Sequence, residues 1–174
     1  MILNTYQIIE KAIKGDEKSF IALVEARKEK LYRIAYSYAK NQHDALDIVQ
    51  ETIYKAFISI QKLKKPQYFD TWLIRITINC AIDHIKKSKQ FINLNENKAI
   101  KDNTDQIEEF IDLHTALDKL EPHYKTIMIL KCFEDLTFKD ISKILDFPIS
   151  TVKTHFYRAL KHLKIYLKED DIYE

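Results

Sequence analysis

The sequence predicts a globular, all-α protein, and three observations support this interpretation. Its 174 residues contain one glycine, Gly15, and three prolines, too few for the tight hairpin turns of a sheet. Apolar residues recur at intervals of three and four along most of the chain, which is the spacing of amphipathic helices. A composition of 46% hydrophobic and 31% charged residues is typical of a globular protein. The scarcity of glycine also argues against a glycine-rich nucleotide-binding loop.

The first half of the chain is predicted to form three helices. One long helix carries a single apolar stripe over 20–38. A second carries a stripe over 45–60 and ends near Pro66, because the residue before a proline is pushed out of helical space. The third, over about 68–89, is apolar on most sides, so we expect it to be the central, buried helix of a bundle.

A polar segment then divides the chain into two predicted domains, 1–92 and 107–174. Periodicity is lost over 93–106, which is rich in asparagine, so we expect a flexible linker there. The region is also acidic, with six Asp or Glu residues and two Lys between positions 93 and 112. In the second domain, one helix is predicted to run to about Lys119 and a second to begin at Pro122. Two more helices are predicted over 138–145 and 150–167.

Residues 136–164 have the pattern of a helix-turn-helix. Thr137, with Asp140 three residues later, forms a capping signal, and Pro148 helps to set the turn. Asp146 stands where such turns usually place glycine, but aspartate tolerates left-handed backbone geometry better than most residues. One face of the second helix is apolar, and its other face carries Lys153, Thr154, Tyr157, Arg158 and Lys161.

This second helix has an unusual charge pattern. The stretch "STVKTHFYRALKHLK", 150–164, holds four Lys or Arg residues, two His and no acid, although the formal net charge of the chain is only +2. A helix in the major groove lies against phosphates and base edges, where acids would be repelled. The pattern therefore favours a DNA-binding face, and the alternative is a solvated amphipathic helix with a chance excess of base.

Two further polar stripes lie in the first domain. Asp44, Asp47 and Glu51 fall on one side of the second helix, which fits either a solvated face or an acidic docking surface for a basic partner. Carboxylates in a row on one helix do not form a metal cage. The third helix carries a polar stripe of Arg75, Asn79, Asp83 and Lys86, preceded by "KLKKPQYF". Lysines beside aromatic rings suit single-stranded DNA.

Taken together, three stretches resemble bacterial sigma factors of the extracytoplasmic-function (ECF) class, in the order of that family. "DALDIVQETIYKAF" resembles region 2.2, "FDTWLIRITINCAIDHIKK" resembles regions 2.3 and 2.4, and "LTFKDISKILDFPISTVKTHFYRALKHLK" resembles region 4.2. The resemblance covers roughly 16–89 and 113–165. It implies a region 2 bundle and a region 4 helix-turn-helix domain, and a protein without catalysis of its own that gives RNA polymerase its promoter choice.

The resemblance also implies roles for individual residues. It assigns docking on the coiled coil of the polymerase β′ subunit to Asp44, Asp47, Gln50 and Glu51. Recognition and opening of the −10 element falls to Lys65, Tyr68, Arg75, Asn79 and Lys86. Recognition of the −35 element falls to Phe138, Lys139, Thr151, Lys153, Thr154, His155, Tyr157 and Arg158. Asp70 departs from the family pattern, where a basic or neutral residue is common, and Lys86-Lys87 replaces a frequently Arg-containing pair.

The partners implied are core RNA polymerase (β′ coiled coil and β flap), promoter DNA and an anti-sigma factor that could be membrane-linked. No cofactor, metal or small-molecule substrate is expected.

Cys80 and Cys132 are predicted to be buried thiols, and the chain is predicted to be cytoplasmic because no signal peptide or long apolar run is present. The main alternative is a helix-turn-helix regulator whose N-terminal bundle dimerises. An enzyme has little support, because no nucleophile motif or histidine at metal-binding spacing stands out.

Overall fold

The structure is a computed structural model that describes residues 4–94 and 115–170, with side chains over 4–88 and 115–166. The chain divides into two compact units, Met1–Lys98 and Ala99–Glu174, and each is described by itself. The described residues form helices and turns and contain no strand, which confirms the predicted all-α class.

The first unit is a helical bundle. Its elements are α1 (Thr5–Ile13), α2 (Glu17–Glu25), α3 (Lys28–Ala39), α4 (Gln42–Ser59), two 3₁₀ turns (Ile60–Lys62 and Pro66–Tyr68) and α5 (Phe69–Leu94). Side chains cap three of these helices: those of Asn4, Asp16 and Asn41 accept hydrogen bonds from backbone N–H groups in the first turns of α1, α2 and α4. Between α1 and α2 the chain turns at Gly15, where φ is +98°.

The prediction of one long helix over 20–38 was wrong, because the chain breaks between α2 and α3. Arg27 occupies the break, and its side chain is held from three directions. It donates hydrogen bonds to the Leu23 carbonyl and to the Asp70 carboxylate, and its guanidinium lies over the ring of Phe69, 5.0 Å from the ring centroid. Two of these partners are more than 40 residues away in sequence, so a tertiary contact outweighs the local helical preference.

Helix α5 has the central position that its sequence predicts. It packs against α3 and α4 and buries Phe69, Leu73, Ile78 and Ala81. The expected end of the preceding helix near Pro66 is also observed in outline: α4 ends at Ser59 and is followed by 3₁₀ turns on either side of Lys64-Lys65. Helix α5 continues to Leu94, so the first two residues of the predicted linker are helical, and the rest of 93–106 lies outside the described residues.

The second unit contains a short helical segment at 115–118, α6 (Pro122–Met128), a π-helical turn (Ile129–Phe133), α7 (Phe138–Leu145) and α8 (Ile149–Asp170). Pro122 occupies the first turn of α6, as predicted. Most of the helix predicted to end near Lys119 lies outside the described residues. One part of the core of this unit is the buried cluster Ala116, Leu117, Leu120, Met128, Ala159 and Leu163.

The two cysteines differ, and the prediction was wrong for one of them. Cys80 is buried in α5, and burial raises the pKa of its thiol. Cys132, which was also expected to be buried, is exposed. It lies in the π-helical turn, where the backbone takes more residues per turn than an α-helix and so rotates the following side chains away from the apolar stripe of α6.

The helix-turn-helix is formed as predicted. Thr137 caps α7 by accepting a hydrogen bond from the Asp140 N–H, and its hydroxyl donates to the Asp140 carboxylate at 2.6 Å. Asp146 ends α7 with φ 60° and ψ 36°, the left-handed conformation that its position requires. Ser142 closes the turn by donating to the Phe147 carbonyl at 2.6 Å.

Candidate nucleic-acid and protein-binding surfaces

Helix α8 presents a sharply divided surface. Val152, Ala159 and Leu163 are buried against the rest of the second unit. The opposite side carries Lys153, Thr154, Tyr157 and Arg158, all exposed, and Tyr157 keeps 62% of its surface accessible. The described residues of α8 up to Tyr166 include no acid, so this exposed face is positively charged.

Lysines at the start of α7 and in the π-helical turn before it add positive charge beside this face. Lys139 is exposed, and the half-buried ring of Phe138 packs edge-on against Phe156 of α8. The ammonium groups of Lys131 and Lys153 lie 5.6 and 5.9 Å from the centroid of the Phe138 ring. Lys131 was missed by the sequence reasoning, because it precedes the helix-turn-helix and only the fold brings it to this ring.

Two of the eight residues matched to −35 recognition lie on the edge of the exposed face. Thr151 is half-buried near the start of α8. His155 is also half-buried, and its ring packs among His123, Tyr124 and Phe147. The structure therefore brings six of the matched residues to one side of the helix-turn-helix and turns His155 toward α6.

A second surface follows α5 and the turn before it. Arg75, Asn79 and Lys86 are exposed along one side of the helix, and Lys65 is exposed in the preceding turn. Tyr68, at the junction with α5, keeps 37% of its surface accessible. All five residues matched to −10 recognition are thus accessible to a ligand, although Asp83 adds one acid to their row.

Asp70 has a partner within the bundle. Its carboxylate accepts the hydrogen bond from Arg27 that holds the break between α2 and α3. Asp70 is at the start of α5, where a negative charge also interacts favourably with the unpaired N–H groups of the helix. The acid therefore has a role within the bundle and is not a free negative charge among the basic residues near the start of α5.

The acidic stripe on α4 is mostly accessible. Asp47, Gln50 and Glu51 are exposed on one side of the helix. Asp47 lies 3.4 Å from the Nδ1 atom of His43, and Glu51 pairs with Lys55 at 3.3 Å. Such exposed pairs contribute little to stability. These carboxylates can therefore exchange His43 and Lys55 for basic groups of another protein at little cost in free energy.

Asp44 is different, because the fold already uses its carboxylate. Asn41 donates to it at 2.9 Å, and the Nε2 atom of His84 on α5 lies 3.2 Å away. Its backbone N–H donates to the side chain of Asn41, the cap of α4. Hydrogen bonding by Asn41 and then by His84 lowers the pKa of Asp44 despite its partial burial. Asp44 thus ties the start of α4 to α5.

Comparison with known proteins decides the family. The sequence matches the family Sigma-70 region 2 over residues 23–91 and the family Sigma-70, region 4 over residues 110–163. It is 41% identical to the RNA polymerase sigma factor SigV of Bacillus subtilis (strain 168), over 87% of this chain and 93% of that protein. It is 30% identical to the ECF RNA polymerase sigma factor SigW of the same organism, over 92% and 95% of the two chains. The chain belongs to the ECF class of sigma-70 factors.

The fold of this sigma factor agrees with that assignment. It superposes on CnrH, solved in complex with the cytosolic domain of CnrY, with a TM-score of 0.75 over 95% of this chain and 97% of that one, at 20% identity. As a sigma factor, the protein directs RNA polymerase in promoter-specific transcription initiation, and the alternative of a stand-alone regulator lacks this support. None of the helices that the structure describes is long and apolar enough to cross a membrane.

The sigma factor also groups three potential metal ligands at the start of α4. Donor atoms of His43, Asp44 and Asp47 lie within 4.8 Å of one another, a grouping that the spacing of the carboxylates alone does not reveal. The group is largely exposed, and the unpaired N–H groups of the first helical turn disfavour a cation there. Asp44 also has partners already, so we assign no metal to this group.

An apolar surface adjoins the acidic stripe. Tyr54 and Ile58 continue the line of Asp47 and Glu51 along α4, and both are exposed. Phe57, which belongs to the apolar stripe predicted over 45–60, is 45% exposed and packs edge-on against Phe20 at 5.3 Å. Sequence periodicity cannot identify such residues, because an apolar side chain at helical spacing has the same pattern whether another element or another protein covers it.

Proposed function

We propose that the two units divide the work of promoter recognition. Residues 1–92 bind core polymerase and the −10 element, residues 107–174 bind the −35 element, and the acidic segment 93–106 connects them. The observation that carries the proposal is the exposed, acid-free face of α8, with Lys153, Thr154 and Arg158 turned away from the core.

The face of α8 has the chemistry of a major-groove reader. Arg158 can make a forked pair of hydrogen bonds to a guanine edge, and Thr154 offers a hydroxyl and a methyl group. Lys153 and Lys139 can neutralise phosphates, and Phe138 holds the side chain of Lys153 at the junction of the two helices. Thr151 lies at the end of α8 that enters the groove in helix-turn-helix proteins, whereas His155 faces α6 and is left out of this set.

The exposed row on α5 is proposed to bind the −10 element. Lys65, Arg75 and Lys86 can hold phosphates, and Asn79 can hydrogen-bond a base edge. Tyr68 offers a partly exposed ring on which an unstacked base can pack. Because lysine cannot make the forked hydrogen bonds of arginine, Lys86 is expected to contribute charge more than base preference.

The acidic stripe of α4 is proposed to dock on the β′ coiled coil of the polymerase. Asp47, Gln50 and Glu51 supply polar contacts, and Tyr54 and Ile58 extend them with apolar area. Asp44 supports the stripe from within by fixing the start of α4 against α5. For the second unit, the resemblance to region 4 makes the β flap the polymerase contact that we propose.

Run-off transcription with purified core polymerase tests the function directly. The template carries a promoter mapped from transcripts that rise when the sigma factor is overexpressed. We expect transcripts from the mapped start site only when the factor is added. The absence of a stable complex with core polymerase, together with starts that do not depend on the promoter, would contradict the proposal.

We further infer that the protein is not an enzyme, that it acts in the cytoplasm and that an anti-sigma factor binds it. The protein does not catalyse a reaction itself, because a sigma factor directs the active site of the polymerase. It acts in the cytoplasm, where core polymerase and the chromosome are found. An anti-sigma factor holds it inactive, as expected for the ECF class, and co-purification from cells grown without inducing stress tests this partner.

A further inference from the structure

The ring of His155 is part of an aromatic contact that joins three elements of the second unit. Its centroid lies 4.8 Å from that of His123 and 5.3 Å from that of Tyr124, both on α6. It lies 5.9 Å from the ring of Phe147 in the turn before α8, and the rings of Tyr124 and Phe147 both meet it nearly at right angles. His155 therefore connects α8 to both α6 and the turn.

The Nδ1 atom of His155 is shielded from solvent and has no hydrogen-bond partner among the described residues. A neutral imidazole can leave this nitrogen without a proton, so no donor is stranded. A protonated imidazole carries a proton on both nitrogens and would place an unpaired donor and a positive charge in the contact. The site therefore accepts the neutral ring and resists the charged one.

Most of the charged and titratable groups around His155 lower the pKa of its ring. Burial, then His123 on α6, and then Arg158 on α8 itself lower the pKa of His155, and Glu121 just before α6 opposes them. Glu121 already lies 3.6 Å from His123, so it is shared between two imidazoles. Tyr124 and Phe147 present their rings to His155.

We propose that His155 is a positioning residue for the −35-reading helix: its uncharged ring fixes α8 against α6 and the turn, and protonation weakens this contact and the binding of −35 DNA. The inference rests on the proposed assignment of α8 to the −35 element. It replaces a direct DNA contact by His155, which its position in the family motif would suggest.

The direction of the pH effect separates these two roles. A histidine in the unfolded chain has a pKa of about 6.5. Because the pKa of His155 is lower in the folded protein, stability is unaffected above about pH 6.5, begins to fall below it, and reaches its full loss below the folded pKa. A histidine that faced phosphates would do the opposite, since its added charge would strengthen DNA binding on acidification.

The first test measures DNA binding by the full chain at about pH 7.5 and 5.5, values on either side of the pKa of about 6.5 of an unperturbed histidine. The probe is a fluorescent duplex spanning the −35 element of a promoter mapped by transcript sequencing. We expect wild-type affinity to be lower at about pH 5.5, and a tenfold fall corresponds to about one unit of difference between the pKa of His155 in the free protein and in the DNA complex. His155→Phe keeps a ring without a titrating group and should lose this acid effect. His43→Asn, at an exposed position on α4 in the first unit, should retain it.

An affinity that rises on acidification, with the rise lost in His155→Phe, would overturn the proposal and return His155 to the DNA surface. If acidification lowers the DNA affinity of His155→Phe as much as that of the wild type, the proposal is overturned as well. If His155→Phe does not fold, the wild-type chain alone still decides the question through the second test, which uses no DNA.

The second test follows the imidazole signals and the backbone amides of the full chain by NMR. His155 should titrate below the value of about 6.5 that a histidine has in an unfolded chain, and the protection of α8 amides should fall over the same pH range relative to that of α4. Titration of His155 at or above that unfolded value would refute the positioning role. If the titration is as expected and Lys153→Ala leaves DNA affinity unchanged, the assignment of α8 to DNA is wrong and the histidine contact stands.

Discussion

At the residue scale, Arg158 offers the sharpest test of base recognition. It is exposed on the face of α8 that we assign to the major groove. Replacing it with alanine is expected to weaken binding to a −35 duplex by about 1–3 kcal/mol and to relax selectivity at one base pair. Arg158→Lys is the matched control, because it keeps the charge and loses the forked hydrogen bonds. Equal selectivity in wild type and both variants, measured by competition with single-base substitutions, would move Arg158 out of the base-reading set.

Asp44 gives a prediction about pH and stability. Its pKa is lowered in the folded protein, so its carboxylate stabilises the fold above the unfolded value of about 3.9, and this contribution is lost as pH falls through the folded value. Asp44→Asn should lower the free energy of unfolding by about 1 kcal/mol at pH 7, since the group is partly exposed. The deficit should shrink near pH 3. Urea unfolding at the two pH values measures this difference in the free energy of unfolding. Asp47→Asn is the control and should change the free energy of unfolding little, because Asp47 has only an exposed pair.

The residues of the site differ in how far the sequence could predict them. Lys153, Thr154, Tyr157 and Arg158 lie where helical spacing places them, because a face opposite the apolar stripe must be exposed. His155 was matched to DNA by its place in the motif, and the structure adds that its ring contacts Tyr124, about thirty residues earlier in the chain. No pattern within one helix contains that information.

At the scale of single elements, the turn of the helix-turn-helix carries a small strain. Asp146 adopts a left-handed conformation, which costs a residue with a side chain about 1 kcal/mol relative to glycine. Asp146→Gly should therefore raise the midpoint of thermal unfolding of the second unit. Lys164→Gly in the exposed interior of α8 is the control and should lower it, by about 1 kcal/mol in free energy. A lower midpoint in Asp146→Gly would show that the aspartate side chain stabilises the turn.

Element boundaries show where local rules fail. The start of α7 follows from Thr137, a capping residue whose hydrogen bond lies within the same turn. The break between α2 and α3 carries no proline or glycine, and it is stabilised by contacts of Arg27 with the start of α5. The exposed Cys132 likewise follows from the π-helical turn, which the apolar spacing of 127–130 does not predict.

At the scale of the whole molecule, the proposed division of labour predicts that the two activities can be separated. Asp47→Lys reverses a charge in the acidic stripe of α4, so it should weaken binding to core polymerase by about tenfold or more, the result of a lost or repulsive charge contact. Binding of the full chain to a −35 duplex should be unchanged. Calorimetry with core polymerase and fluorescence anisotropy with DNA measure the two affinities. Equal core affinity in Asp47→Lys and wild type would contradict the docking assignment.

The pairing of Arg27 with Asp70 has a consequence for the evolution of this lineage. The acid is matched by a cation more than 40 residues away in the sequence, so neither residue is expected to change alone without leaving the other uncompensated. Homologues with a neutral or basic amino acid at the site equivalent to 70 should have lost the arginine at the site equivalent to 27. An alignment of many family members would reveal the two columns varying together.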